Sequence, residues 1–290
     1  MTAPRAEPFF LKTSGGPGGP RFCLFHPPTG PARAALLYLH PFAEEMNKSR
    51  RMAALAARRL AAQGVGVLQL DLHGCGDSGG EFGDARWDGW KDDVRAGLDW
   101  LRARLGVEPG LWGLRLGALL ALDYAAGAVA PPARLLLWQP TLGGAACLTQ
   151  FLRLRLAGEL LQDGPADGAD SAGKGKGGSE ALRARLRAGE TLEIAGYELH
   201  PALALALDGV DAGKLPAPRC PVDWFEVVAE SGRAAPPAAA RVAGMWRDQG
   251  ADLRQQAVAG PQFWTAQEIE EAPLLLDATA ALYLESTHAL

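Results

Sequence analysis

The sequence predicts an α/β fold in which a mostly parallel central sheet is flanked by helices. Short apolar runs suited to buried strands alternate with amphipathic helical segments through the first half of the chain. One run, Gly110-Leu-Trp-Gly-Leu-Arg-Leu-Gly-Ala-Leu-Leu120, has the pattern of a strand, a sharp turn over Gly113–Gly117 and a helix. Polar side chains directly follow several predicted strands, at the edge where open α/β sheets bind ligands. We therefore expect the functional site at the carboxyl ends of the strands.

The elements before Pro140 follow from apolar periodicity. Strands are predicted where apolar residues run together, and helices where they recur every three or four positions. The predicted strands are Phe9–Lys12, Arg21–Phe25, Ala34–His40, Val65–Leu72, the strand at Gly110 and Arg134–Pro140. The predicted helices are Arg50–Gln63, for which Ser49 is a suitable N-cap, Trp87–Leu105 and Ala118–Ala126.

The strand–helix alternation breaks after Pro140, which predicts an insertion. We expect residues 141–215 to form a helical lid over the strand ends, and residues 1–140 and 216–290 to form the α/β core. Within the lid, the Gly-, Ala- and Asp-rich residues 163–179 predict a flexible loop. The other predicted elements are helices Cys147–Leu161, Leu182–Ala188, Pro201–Leu207, Pro237–Gln249 and Pro273–Glu285, a hairpin in Glu190–His200, and strands Val222–Val228 and Leu253–Val258.

Composition narrows the class of protein. The 290 residues carry a net charge of −4, which gives no electrostatic reason to expect nucleic acid as a partner. The first residues lack the apolar core of a signal peptide, and Asp123 interrupts the best candidate for a transmembrane segment. The cysteines lie far apart, without zinc-site spacing. We predict a cytoplasmic protein without cofactor or metal, and the sequence leaves its oligomeric state open.

The turn at Gly113–Gly117 has the spacing of a catalytic motif. A Gly-x-nucleophile-x-Gly turn between a strand and a helix is the nucleophile elbow of α/β-hydrolases. Its central residue here is Arg115, a permanent cation without a nucleophilic lone pair. The loop where a catalytic histidine is expected is Gly260-Pro-Gln-Phe-Trp264, and the only later histidine is His288. The sequence thus predicts the hydrolase fold, and a Ser-His-acid triad is not apparent.

The candidate site residues cluster at the predicted strand ends. Arg115, Glu44 and Glu45 are the catalytic candidates, with the two glutamates placed in the loop after the strand that ends at His40. Arg115 has two alternative roles: an ion pair with either glutamate, or a grip on an anionic group of a ligand. A glutamate with a raised pKa could also act as a general base. The candidate ligand contacts are His40, Phe42, Leu116, Gln139, Phe263 and Trp264.

Two further alternatives remain open from the residues alone. Cys75, in a loop after a predicted strand, is a second candidate nucleophile, with His73 nearby. Glu226 and Glu230 lie on or just after the strand that precedes the acid of a triad. Without a histidine to orient, neither glutamate has an assigned role.

Seven ordered blocks of sequence resemble the exosortase A system-associated hydrolase 2 family. The blocks are His40-Pro-Phe-Ala-Glu-Glu-Met-Asn-Lys-Ser49, Asp71-Leu-His-Gly-Cys-Gly-Asp-Ser78, Trp112-Gly-Leu-Arg-Leu-Gly117, Leu137-Trp-Gln-Pro140, Gln150-Phe-Leu-Arg-Leu-Arg-Leu156, Ala195-Gly-Tyr-Glu-Leu199 and Gly260-Pro-Gln-Phe-Trp264. The resemblance covers nearly the whole chain. It implies an α/β-hydrolase fold, arginine at the elbow as part of the family pattern, and a gene setting of bacterial exopolysaccharide production and exosortase sorting.

Two functions from different classes follow from these observations. The resemblance implies a hydrolase of an exopolysaccharide/exosortase locus. The missing serine supports the alternative of a non-catalytic, hydrolase-derived binding or accessory protein that recognises an anionic ligand through Arg115. In either case the expected partner is a small molecule or an acylated glycan-type ligand.

Overall fold

Strands and helices alternate along the chain as its apolar periodicity predicts. The computed structural model describes residues 5–12, 18–162 and 171–284. The strands are Glu7–Leu11 (β1), Arg21–His26 (β2), Ala34–Leu39 (β3), Val65–Leu70 (β4), Pro109–Leu114 (β5), Leu135–Trp138 (β6), Leu192–Ile194 (β7), Tyr197–Leu199 (β8), Val222–Val228 (β9) and Leu253–Ala259 (β10). The helices are Glu44–Ala62 (α1), Trp87–Leu105 (α2), Leu116–Gly127 (α3), Gly144–Gln162 (α4), Ser171–Arg187 (α5), Pro201–Gly209 (α6), Pro237–Asp248 (α7) and Pro273–Leu284 (α8).

The predicted α/β fold with a mostly parallel sheet is confirmed. Among the described residues, eight strands form one sheet in the order β1-β2-β4-β3-β5-β6-β9-β10. The β1–β2 and β2–β4 pairs are antiparallel, and every other neighbouring pair in this sheet is parallel. The predicted opening hairpin is β1–β2, and the predicted edge strand is β10. A second hairpin, β7–β8, lies outside the large sheet, in the segment where the sequence predicts one.

Helices cover both faces of the sheet, because its strands are apolar on both sides. Helices α1 and α8 bury residues such as Met52 and Leu275 against one face. Helices α2, α3 and α7 bury Leu98, Leu119 and Trp246 against the other. With both faces covered, the carboxyl ends of β3, β5, β6 and β9 form one accessible edge.

Helix α1 begins earlier than the sequence predicts. The expected N-cap, Ser49, lies inside the helix, is fully buried and has no hydrogen-bond partner for its hydroxyl group. The helix begins at Glu44 because Ala43, with φ 48° and ψ −124°, turns the chain sharply just after β3. Glu44 and Glu45 therefore lie in the first turn of α1, where the helix dipole favours negative charge, and the prediction that they lie in a loop is wrong.

The prediction of a loop over residues 163–179 is wrong for its second half. Helix α5 begins at Ser171, and residues 163–170 lie outside the described residues. One of the glycines that favoured a loop, Gly178, allows close helix packing instead, since a Cβ atom there would lie 2.9 Å from two methyl groups of Leu156 on α4. Buried Leu182 and Leu186 anchor the same helix, so tertiary packing overrides the weak local propensity.

The segment between β6 and β9 lies against the carboxyl edge of the sheet. It contains α4, α5, the β7–β8 hairpin and α6. Phe151 on α4 packs edge-on against Phe42, which follows β3, with ring centroids 5.0 Å apart. Tyr197 on β8 packs against Phe82 at 5.0 Å. These aromatic contacts fasten the inserted segment to the loops that surround the candidate site.

Candidate active site at the elbow

Arg115 occupies the sharp turn between β5 and α3. Its backbone angles are φ 55° and ψ −116°, a strained conformation for a residue with a side chain. The turn is held from the neighbouring strand, since the Arg115 N–H donates to the carbonyl oxygen of Trp138 at 3.0 Å. The N–H of Thr141 donates to the carbonyl oxygen of Arg115 at 3.1 Å. This strand–turn–helix geometry is that of a nucleophile elbow, with a guanidinium as the central side chain.

The guanidinium of Arg115 has three partners, drawn from three parts of the chain. Its Nε and Nη2 atoms both lie 3.4 Å from Oε1 of Glu45 on α1. Its Nη2 also lies 3.4 Å from Oε1 of Gln150 on α4. Its carbon Cζ stacks 5.5 Å from the centre of a Trp264 ring, a cation–π contact. Arg115 is thus seated among a carboxylate, an amide and an aromatic ring.

The two candidate glutamates occupy different surroundings. Glu45 is mostly buried, with 14% of its side chain exposed, and it pairs with Arg115. Glu44 is 42% exposed and lies 3.9 Å from Lys48, one helical turn along α1. Burial raises the pKa of Glu45, and the neighbouring guanidinium of Arg115 opposes that rise. A raised pKa makes an ionised carboxylate a stronger proton acceptor.

Two backbone segments could supply oxyanion-hole donors. Leu116 is the first residue of α3, so its N–H has no acceptor within the helix. Phe42 and Ala43 follow β3, the second place from which hydrolases of this fold take a donor. Ala43 has nearly the same backbone angles as Arg115, so two sharp turns of one kind face the same edge of the sheet.

The other predicted ligand contacts lie close to this turn but are occupied by protein partners. His40 is buried between the N–H of Leu72, at 3.3 Å from Nε2, and the carbonyl oxygen of Pro41, at 2.7 Å from Nδ1. Burial lowers the pKa of His40, which suits a neutral ring with the proton on Nδ1. Phe263 is 1% exposed and packs in the core beside α8.

Gln139 has a role that its position at a strand end did not reveal. It follows β6 with φ 43°, and its Oε1 atom accepts the Val227 N–H of β9 at 2.5 Å. Its side chain also hydrogen-bonds Glu226, a buried glutamate on β9. Gln139 thus joins β6 to β9 beneath the elbow.

Glu226 is the buried carboxyl group that sequence reasoning left without a role. It is 2% exposed, and its Oε1 atom accepts the indole N–H of Trp224 at 2.7 Å. Burial raises the pKa of Glu226 to about 6, against the stabilising effects of Trp224, Arg115 and Gln139 on the charged form. The period-two spacing of Trp224 and Glu226 on one face of a strand is the sequence signal that pointed to this contact.

The pKa of Glu226 predicts a pH-dependent stability. Between its ordinary pKa of 4.5 and about 6, the folded chain binds more protons at Glu226 than the unfolded chain, so this contribution to stability falls as pH rises. We expect Glu226→Gln to remove it, so that the variant gains about 2 kcal/mol over the wild type between pH 4.5 and pH 7.5. Denaturant unfolding at both values measures the gain. Glu230→Gln, at an exposed position, is the control for the loss of one carboxylate, and an equal difference for Glu226→Gln at both pH values would contradict the assignment.

Two small cavities adjoin the elbow, and Phe42 lines both. The outer cavity, of about 50 Å³, is lined by Phe42, Glu44, Glu45, Cys147, Gln150, Phe151, Leu154 and Thr265. The inner cavity, of about 10 Å³, lies beside the start of α3 and has an apolar lining. Cys75 lines the inner cavity, and burial raises the pKa of its thiol far above the ordinary value. The thiol is therefore protonated at neutral pH, which disfavours it as a nucleophile.

The fold and this turn define a protein of the α/β-hydrolase superfamily. The sequence pattern of the family described as serine aminopeptidase, S33, matches residues 30–184, more than half of the 290-residue chain. The chain belongs to this family. In the comparison with curated proteins, no relative matches the sequence.

Solved structures show that other proteins share this fold. The chain is similar to Est1E from Butyrivibrio proteoclasticus with bound ferulic acid, at 16% identity and a TM-score of 0.67 over 97% of this chain and 99% of that one. It is also similar to a soluble variant of monoglyceride lipase from Saccharomyces cerevisiae in complex with a substrate analogue, at 15% identity and a TM-score of 0.61 over 98% and 96% of the two chains. XC6422 from Xanthomonas campestris, a serine hydrolase without a lid, matches at 18% identity and a TM-score of 0.54 over 98% and 95%. At these identities the likeness establishes the fold.

The described residues carry no histidine at the position where this fold places the histidine of a triad. The loop after β10, in the described part of the chain, carries Phe263 and Trp264 where a triad histidine is expected, and His288 lies outside the described residues. Within residues 5–12, 18–162 and 171–284, no three His, Cys, Asp or Glu side chains group as a metal site. No helix in the same residues is long and apolar enough to cross a membrane.

Proposed function

We propose that this chain is a hydrolase of the exosortase A system-associated hydrolase 2 family that cleaves an acyl bond with water activated by Glu45. One observation carries the proposal: a mostly buried carboxylate, Glu45, lies 3.4 Å from a guanidinium, Arg115, at the position where relatives place a nucleophile. The seven blocks of resemblance support the assignment to an exopolysaccharide/exosortase locus. The segment 141–215 acts as a lid in this proposal, and the protein works in the cytoplasm.

The proposed reaction forms no acyl-enzyme. Glu45 takes a proton from water, and the resulting hydroxide attacks the carbonyl carbon of the substrate. The electron pair moves to the carbonyl oxygen, which the N–H of Leu116 and the guanidinium of Arg115 stabilise. When the tetrahedral intermediate collapses, the bond to the leaving group breaks and the departing alcohol takes the proton from Glu45. The acid product then leaves, and the site returns to its starting state.

The proposal is tested by turnover of the purified chain. We expect measurable hydrolysis in a screen of short acyl esters, thioesters and acylated sugars, and a loss of at least about 10²-fold in kcat/KM for Arg115→Ala, because one oxyanion donor is worth that much. Circular dichroism of the variant serves as the control for folding. Turnover that survives in the folded variant would contradict a catalytic role for Arg115.

A second candidate function is ligand binding without catalysis. Its supporting observation is that Trp264 occupies the loop where a catalytic histidine is expected and stacks on Arg115 at 5.5 Å. In this alternative, an anionic group of the ligand displaces Glu45 from the guanidinium. Saturable binding that weakens in Arg115→Ala, with no turnover of any compound in the screen, would favour this candidate over the hydrolase.

A further inference from the structure

A cavity of about 420 Å³ lies at the amino-terminal edge of the sheet, opposite the elbow. Its lining includes Ala34 at the start of β3, Val65 at the start of β4 and Gly110 near the start of β5. These strands run parallel, so their first residues share one edge and the elbow lies at the other. Small-molecule pockets commonly enclose about 300–1,000 Å³, a range that this cavity reaches and the two cavities beside the elbow do not.

Two arginine side chains line this cavity, and both contact Tyr283 near the end of α8. Nη2 of Arg33 donates to the carbonyl oxygen of Tyr283 at 3.2 Å, and Nη1 donates to that of Gln63 at 3.4 Å. The carbon Cζ of Arg134 lies 5.4 Å from the centre of the Tyr283 ring, a cation–π contact. One tyrosine thus brings two positive charges to the same cavity.

The described residues neutralise these two charges only in part. Arg134 pairs with buried Asp223, whose Oδ2 atom lies 3.4 Å from Nη1 of Arg134. Among the described residues, the hydrogen-bond partners of Arg33 are neutral carbonyl oxygens. Glu108, which also lines the cavity, is already paired with Arg102 at 2.7 and 3.0 Å. The lining therefore keeps a net positive charge, which favours a ligand with a single negative charge.

The carbonyl oxygens position Arg33 and leave it able to bind an anion. Gln63 is the C-cap of α1 and Tyr283 lies in the last turn of α8, where helix dipoles favour a cation. A guanidinium group has more N–H donors than these two contacts use. Both contacts are also long compared with charge-assisted hydrogen bonds. A carboxylate in the cavity would therefore form stronger bonds with Arg33 than the helix ends do.

We propose that this cavity binds a small carboxylate whose apolar body is about the size of two fused aromatic rings. The carboxylate contacts Arg33 and Arg134, and the body lies against the apolar part of the lining, which includes Leu36 and Val65. A cavity of about 150 Å³ holds one benzene ring, so about 420 Å³ accommodates such a body together with its carboxylate. The site is separate from the elbow and does not depend on the proposed hydrolase function.

Calorimetric titration of the full chain with 2-naphthoate tests the ligand class. We expect saturable binding, and affinity for the neutral amide 2-naphthamide that is at least about tenfold lower, because the amide lacks the charge. The absence of saturable binding by 2-naphthoate, or equal affinities for the two compounds, would overturn the proposal. Arg115→Ala is expected to bind 2-naphthoate as the wild type does. Loss of binding in that variant would place the carboxylate at the elbow and overturn the proposal.

Substitution of Arg33 tests the role of its charge. Arg33→Gln is expected to lower the affinity for 2-naphthoate by about tenfold or more. Arg59→Gln is the matched control, because Arg59 lies in the last turn of α1 and pairs with Asp277 on α8 but does not line the cavity. Unchanged affinity in folded Arg33→Gln, or an equal loss in Arg59→Gln, would contradict the assignment.

A substitution that fills the cavity tests its location without changing a charge. Ala133 is exposed and lines the cavity, so Ala133→Trp places a large ring there at little cost to folding. We expect the affinity for 2-naphthoate to fall by about tenfold or more, with circular dichroism of each variant as the control for folding. This variant also tests the site if Arg33→Gln does not fold. Unchanged affinity in folded Ala133→Trp would overturn the proposal.

Discussion

Gly117→Ala is expected to lower the free energy of unfolding by about 3 kcal/mol or more. Gly117 is the second residue of α3, where the helix passes close to the end of β3. A Cβ atom there would overlap the carbonyl oxygen of Leu39 and lie 2.5 Å from that of His40. Both obstacles are backbone atoms, so no side chain can turn aside to make room. The elbow could accommodate the methyl group only by moving α3 away from the sheet.

Urea unfolding of the wild type and variant measures this effect. Gly127→Ala, at the other end of the same helix, is the matched control because a Cβ atom there meets nothing within 4 Å. The control is expected to leave stability unchanged or to raise it by about 0.5–1 kcal/mol, since alanine is the better helix former. Equal stability of Gly117→Ala and the wild type would contradict the close approach of α3 to β3.

Glu45→Gln is expected to lower kcat/KM for a cleaved ester by about 10²–10⁴-fold. Glutamine preserves the size of the side chain and can still accept a hydrogen bond from Arg115, but it cannot take a proton from water. The loss should therefore fall on turnover while the fold is retained. Initial rates with the best ester of the screen, combined with thermal unfolding of both proteins, separate these two effects.

Glu44→Gln is the matched control for Glu45→Gln. The two residues are adjacent in the first turn of α1 and both line the outer cavity, but Glu44 is paired with Lys48 rather than with Arg115. We expect its turnover to stay within a few-fold of the wild type. A large loss of turnover in Glu44→Gln, with no loss in Glu45→Gln, would show that Glu45 is not the general base.

The fold could be predicted because its determinants are local in the sequence. The apolar strands and the glycines around Arg115 specify the elbow by themselves, since Gly113 and Gly117 stand where a Cβ atom would meet backbone. The backbone hydrogen bonds that join Arg115 to Trp138 and Thr141 hold the turn in the predicted position.

The beginning of α1 and the helix α5 could not be predicted, because tertiary contacts determine them. Ser49 has the chemistry of an N-cap, yet the strained turn at Ala43 begins the helix six residues earlier. The glycines before Leu182 have low helix propensity, and the packing of α5 against α4 and α6 stabilises the helix there. Pattern rules describe one segment at a time and contain no information about such neighbours.

The location of the candidate site was predicted from the sequence, but the side chains that contact Arg115 were not. Their positions at strand ends predicted that Arg115 lies near Glu44 and Glu45. Which of the two glutamates pairs with Arg115 depends on the direction in which each side chain leaves α1. The contact between Gln150 and Arg115 was not predicted, because no pattern in the sequence around Gln150 indicates it. Its contact arises because α4 folds back over the sheet edge.

The most direct test of the central claim is a double-mutant cycle between Arg115 and Glu45, measured as kcat/KM for one ester. If the two side chains act as one catalytic unit, Arg115→Ala and Glu45→Gln each lower kcat/KM by at least about 10²-fold. The kcat/KM of the double variant is then at most about tenfold below that of the less active single variant. Losses that add in full, or wild-type kcat/KM in either folded single variant, would contradict the account.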